Sequence, residues 1–201
     1  MIRARQIRRR RISMLNNWIS RSRDQSGQAL IEFTFVAVIM LAMLFGMIDF
    51  CRAISTRQVI INLSREGANM AARSGSGDTT AISNAIAAVI GAASPLSITS
   101  NGEVIVSAVV NINGAYVITN QISQGKLTYK SKIGLLNATG SGAAGSPVVM
   151  PVLASSPGAL PQPNQTAYVA EIYYAFKPTT PIGQLINISM TNAPLYDVAY
   201  F

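Results

Sequence analysis

Few side chains in this sequence are able to do chemistry, and their distribution narrows what the protein can be. Histidine is absent and cysteine occurs once, at Cys51. Imidazole zinc sites, histidine-based triads and an intramolecular disulfide are therefore excluded. Beyond residue 27 the acids are Glu32, Asp49, Glu66, Asp78, Glu103, Glu171 and Asp197, and no two have the local spacing of a metal loop. Gly140-x-Gly142-x-x-Gly145 spells the letters of a dinucleotide-binding fingerprint, but Ser146-Pro147 stands where its helix should begin. Ser74-Gly75-Ser76-Gly77 lacks the flanking strand of a nucleophile elbow and reads as a hinge between helices. The expectation is a protein without catalytic residues, metal or cofactor. One charged group still carries a strong physical demand. Glu32 lies inside an otherwise apolar run, where a carboxylate needs a partner or a route to water.

The element that positions Glu32 is that run itself. From Ala29 to Ile48 nearly every residue is apolar, and at about 1.5 Å per residue a helix of this length covers the roughly 30 Å hydrocarbon core of a bilayer. The run is too long for the core of an ordinary signal peptide, although conventional cleavage after Ala53 would release a domain without its anchor. The net charge of +8 belongs to the segment before the run. Residues 1–27 hold Arg3, Arg5, Arg8, Arg9, Arg10, Arg11, Arg21 and Arg23 against Asp24, a net +7, and the remaining 174 residues carry only +1. Arginines beside a span hold its N-terminus in the cytoplasm. A nucleic-acid arm is not expected, because residues 1–17 contain no aromatic residue and Trp18 stands alone.

Past Phe50 nothing stops the helix before Ser74. Val59, Leu63, Gly67 and Met70 recur at helical spacing while Arg57, Arg65 and Arg73 occupy other faces, so one helix is predicted over about residues 29–73. Asp49 and Arg52 are spaced to pair where the helix leaves lipid; two separately solvated charges would serve equally. Asp78-Thr79-Thr80 offers capping residues for a second, shorter helix, Ala81 to Ala92, which ends near Ser94-Pro95. Glu103 to Ile112, the turn Asn113-Gly114, and Ala115 to Ile122 read as a β-hairpin. Lys126 to Ile133 alternates polar and apolar residues and predicts a third strand, Ala167 to Phe176 another, and the tail Ile182 to Phe201 a last strand or a packed edge. Residues 137–165, rich in glycine, serine and proline, read as a surface loop. The fold class expected is α+β: a long N-terminal helix, a short second helix and an antiparallel sheet of three to five strands. The parts are a basic leader at 1–27, a transmembrane helix at 28–50, its extension at 51–74 and an extracytoplasmic domain at 78–201.

Gly27, then Gln28 to Ile31, then Glu32-Phe33 at the head of an apolar helix resembles the processing site of type IV pilin precursors. The resemblance narrows downstream. Gly46-Met47-Ile48-Asp49-Phe50-Cys51-Arg52-Ala53, followed by Asn62-Leu63-Ser64-Arg65-Glu66-Gly67-Ala68 and Ala71-Ala72-Arg73, resembles the TadE-like family of tight-adherence (Tad, or Flp) pilus systems. It covers about residues 27–74. It implies a minor pseudopilin of a bacterial inner membrane, cut after Gly27 by a prepilin peptidase. Its implied partners are the Flp major pilin, other pseudopilins, the Tad inner-membrane platform and the lipid bilayer.

Such a cut would free the α-amino group of Gln28, a cation suited to Glu32 one turn away or on a neighbouring subunit. Within one chain Glu32 could otherwise snorkel to the headgroups. Cys51 reads as a helix-packing residue, with an intermolecular disulfide or lipid attachment as its other uses. Four Asn-x-Ser/Thr sequons, beginning at Asn62, Asn137, Asn164 and Asn187, carry no weight behind such a leader. The alternative to pilus assembly is an uncleaved, single-pass membrane-anchored binding domain.

Overall fold

The computed structural model describes residues 2–74, 78–112, 115–134, 162–185 and 194–201, with only the backbone for 2–26, 115, 182 and 185. The helix α1 runs without a break from Ile2 to Arg73, 72 residues, or roughly 110 Å. It therefore includes the basic leader as well as the predicted 29–73. Two short helices follow, α2 (Thr79–Ala92) and α3 (Ile98–Asn101). Then come strands β1 (Gly102–Ile112), β2 (Ala115–Gly125) and β3 (Thr166–Tyr174), a turn of helix α4 (Pro181–Leu185), and strand β4 (Leu195–Tyr200). The four strands form one antiparallel sheet in the order β2-β1-β3-β4. This is the expected α+β class. The hairpin turn Asn113-Gly114, the hinge at 75–77 and most of the loop 137–165 lie outside the described residues.

Strand alternation sorts the sheet into two faces. Val104, Val106 and Ala108 of β1 and Tyr168, Ala170, Ile172 and Tyr174 of β3 face the helices, in one cluster with Ile60, Leu63, Ala68 and Ala71 of α1 and Ile82, Ile86 and Val89 of α2. The stripe α1 lends to this core is Ile60, Leu63, Ser64, Gly67, Ala68 and Ala71, all buried. It is turned slightly from the predicted one, since Val59 is half-buried and Met70 is 37% exposed. Small residues make up its lower half because α1 meets two elements at once there. A methyl group on Gly67 would stand 2.9 Å from Val89 Cγ2 and 3.4 Å from Ala170 Cβ. At the same level the buried Ser64 hydroxyl donates to the carboxylate of Asp197, fastening α1 to the edge strand β4.

Two expectations are corrected. Lys126 to Ile133 is not a strand. Its amides at Lys126 and Leu127 donate to the Gly102 carbonyl, and those at Tyr129 and Lys132 donate to the side chains of Glu103 and Glu171. With those donors committed, no ladder to β2 forms, and the segment lies as a strap across the outer sheet face. Gly125 sets up the departure, because φ there is +156° and any side chain would meet the Gly102 carbonyl. The second concerns capping. Asp78 is the N-cap residue of α2, but its side chain accepts no backbone hydrogen bond there and is instead 3.2 Å from the Thr79 hydroxyl.

Gly67→Leu should force α1 away from α2 and β3. Overpacking of this kind costs about 1–3 kcal/mol, and a lowered melting temperature of the sheet's circular dichroism signal, in full-length protein in detergent, is the expected result.

Candidate functional site: the membrane span and its exit

Residues 27–50 present apolar side chains on every face of α1, and the rest of the protein covers none of the most apolar window of this helix. Leu30 is 69% exposed, Phe33 73% and Met43 70%. A helix apolar all round has to be buried by something. None of the described residues does so, and the stretch is suited to a bilayer or to other helices. Gly27, Gln28 and Glu32 sit on consecutive turns at the head of this stretch, all exposed. A side chain at Gly27 would meet none of the described atoms within 4 Å. Among the described residues Glu32 has no hydrogen-bond or ion-pair partner.

The exit of the span is built differently. Asp49 is half-buried, and its Oδ1 accepts the amides of Thr179 at 3.0 Å and Thr180 at 3.3 Å, while the Thr180 hydroxyl donates to Oδ2. The carboxylate of α1 thus holds the segment that leads into α4, some 130 residues away in sequence. The fit is close, since a Cβ on Gly183 would clash with Asp49 and Pro178. Arg52, one turn on, adds a favourable charge to Asp49, but its guanidinium lies against the ring of Phe176, 6.0 Å from the centroid. Cys51, between them, is exposed.

A second cluster of titratable groups lies far from the span, on the outer sheet face. Glu171 is fully buried. Its Oε1 accepts the Lys132 amide at 2.9 Å and the Tyr196 hydroxyl at 2.9 Å, and Oε2 accepts the Ser131 hydroxyl. Tyr173 donates to the Lys130 carbonyl at 3.1 Å, stacks on Tyr129 at 5.1 Å and packs against Tyr196 at 4.8 Å. Lys132 Nζ sits 3.6 Å over the Tyr196 ring. Burial raises the phenols of Tyr173, Tyr196 and Tyr200 above the ordinary range, and the nearby charge of Glu171 adds to it. Burial likewise raises the carboxyl of Glu103, against the pull of the Tyr129 amide. These contacts bind the strap to the sheet. Among the described residues no group of three or more candidate ligands could hold a metal.

Sequence reasoning missed the roles of Glu171, Glu103 and the Asp49 partners Thr179 and Thr180. One signal was available. Glu171 interrupts the apolar strand Ala167 to Phe176, and a lone acid there has to find donors.

The fold and the uncovered helix define a class: an α+β domain carried on a single N-terminal apolar helix compatible with single-pass membrane anchoring. Residues 27–69 match the family model described as TadE-like protein. The match begins at the Gly27 motif, takes in Asp49 and Arg52, and ends just past Gly67. No curated protein and no solved structure matches the chain.

Asp49→Ala should free the segment at 177–185 while leaving the anchor intact. The expected outcome is faster proteolysis between Phe176 and α4, with membrane retention unchanged. The three raised phenols give a second test. Each stays protonated in the fold after free tyrosine ionises near its ordinary value of 10.0. Their stabilising effect is full below that pH and is lost above it, because only the unfolded chain then gives up its protons. Alkaline titration followed by phenolate absorbance should show some of the seven tyrosines ionising late, together with loss of sheet structure.

Proposed function

We propose that this protein is a minor pseudopilin that helps to assemble a Flp-type (Tad) pilus. A prepilin peptidase removes the basic leader after Gly27 on the cytoplasmic side of the inner membrane. Residues 28–50 remain as the anchor, and the domain beyond Phe50 stands outside the cytoplasm. Its partners are the Flp major pilin, other pseudopilins and the inner-membrane platform of the system. It needs no cofactor and catalyses no reaction.

The observation that carries this reading is the uncovered apolar helix together with a TadE-like match that starts at Gly27. A helix that only anchored would have no use for a carboxylate one turn inside lipid. One that docks beside its like has such a use. The amine released at Gln28 by cleavage complements Glu32, and a pair formed between subunits sets the axial stagger of neighbouring helices. The exposed domain adds bulk that limits how many such subunits fit together, which suits a subunit used sparingly.

N-terminal sequencing of protein extracted from membranes tests processing: Gln28 as first residue is expected, and an intact arginine leader would overturn the reading. Glu32→Ala should leave cleavage and insertion unchanged and reduce piliation strongly, scored by electron microscopy of cells. Normal piliation would remove the role given to the carboxylate.

A further inference from the structure

Beside the exit of the span the fold leaves a cleft of about 600 Å³ between α1 and the chain that leaves β3. Arg52 and Ser55 line it from α1, Asn101 from the end of α3, and Phe176, Lys177 and Gln184 from the far side. The lining contains two cations and no carboxylate. Asp49, the acid nearest to Arg52 along α1, has its oxygens engaged by Thr179 and Thr180. Among the described residues neither Arg52 nor Lys177 forms an ion pair. Two exposed cations therefore line one open volume whose own lining holds no acid, and Asp49, its oxygens turned to Thr179 and Thr180, is the acidic charge beside them.

The height of the cleft says what can supply an anion to it. With Ala29 to Ile48 in the hydrocarbon core, Arg52 stands about 6 Å beyond its edge and Ser55 about 10 Å. The polar layer on each side of a bilayer is about 5–8 Å deep. The guanidinium thus lies at the level of lipid phosphates, with Lys177 across the cleft from it. Arginine's planar fork is matched to phosphate oxygens, and a lysine adds a second point charge.

We infer that this cleft holds the phosphate headgroup of an anionic phospholipid from the leaflet facing the exposed domain. The lipid joins α1 to the segment after β3, complementing the link made by Asp49. It thereby fixes the tilt of the domain on the membrane. The inference rests on residues 28–50 being the anchor, and it is independent of cleavage and of pilus assembly.

The test uses the full chain in detergent, mixed with equal amounts of phosphatidylglycerol and phosphatidylcholine and examined by native mass spectrometry. Wild-type protein should retain phosphatidylglycerol with a several-fold preference, and the double variant Arg52→Gln, Lys177→Gln should lose that preference. Excess glycerol 3-phosphate should not displace the lipid; displacement would assign the cleft to a soluble phosphate ester instead. A photoreactive residue replacing Gln184 in cells should crosslink to phospholipid, and a crosslink to a polypeptide would overturn the inference. So would equal retention by wild type and variant. Carbonate extraction separates this from failure of the anchor: both proteins should stay in the membrane, and release of the wild type would overturn the anchor reading itself.

Discussion

Everything in this structure depends on one helix having to satisfy two surroundings along its length. An α-helix closes its own backbone hydrogen bonds, so α1 can pass from lipid to water without a break. Only its side chains have to change. From Ala29 to Ile48 they are apolar on nearly all sides and none of the described residues covers the most apolar window; from Ile60 to Ala71 they are apolar along one stripe, which the sheet and α2 cover. Asp49 stands at the changeover, and the donors of Thr179 and Thr180 satisfy it. The end of the span is thereby also a point of attachment for the domain.

The domain solves a related problem on its own scale. A four-stranded sheet has two faces, and the helices cover only one. The other is closed by the strap at 126–134, held by the carboxylates of Glu103 and Glu171, by stacked tyrosines and by Ile133, which is buried against Val109, Ile118 and Val169. A buried acid stabilises only if its oxygens find donors, and Glu171 finds them in a segment that would otherwise be loose. Among the described residues no buried side-chain polar atom lacks a partner. The result is a rigid head on a rod, in which Ser64 and Gly67 bring rod and head into contact.

This division of labour agrees with where the family match lies. It covers the head of the apolar helix, the exit at Asp49 and Arg52, and the docking stripe as far as Ala68, all on α1. That segment contains an apolar helix compatible with membrane anchoring and most of the stripe that carries the domain. The sheet lies beyond it, and so does the far wall of the basic cleft. A headgroup bound there would make the membrane itself part of the joint between rod and head.

The sequence by itself determined the local elements. A run of twenty residues, nearly all apolar, makes a helix long enough to cross a bilayer, helical spacing extends it to Arg73, Asn113-Gly114 lies between two β-rich runs that do pair, and Pro95 ends the second helix. These follow from propensity and periodicity, which act over a few residues. The sequence also misled at Lys126 to Ile133, where alternation suggested a strand. There the backbone donors of Tyr129 and Lys132 are taken by acids 26 and 39 residues away, and no local pattern reveals that competition. Only the tertiary structure decided that Glu171 would be buried, that Asp49 would be met by Thr179 and Thr180, and that Arg52 would face Lys177 across a cleft. Each of these depends on which distant segments the packing of α1 against the sheet brings together, and contacts of that range are set by the whole fold.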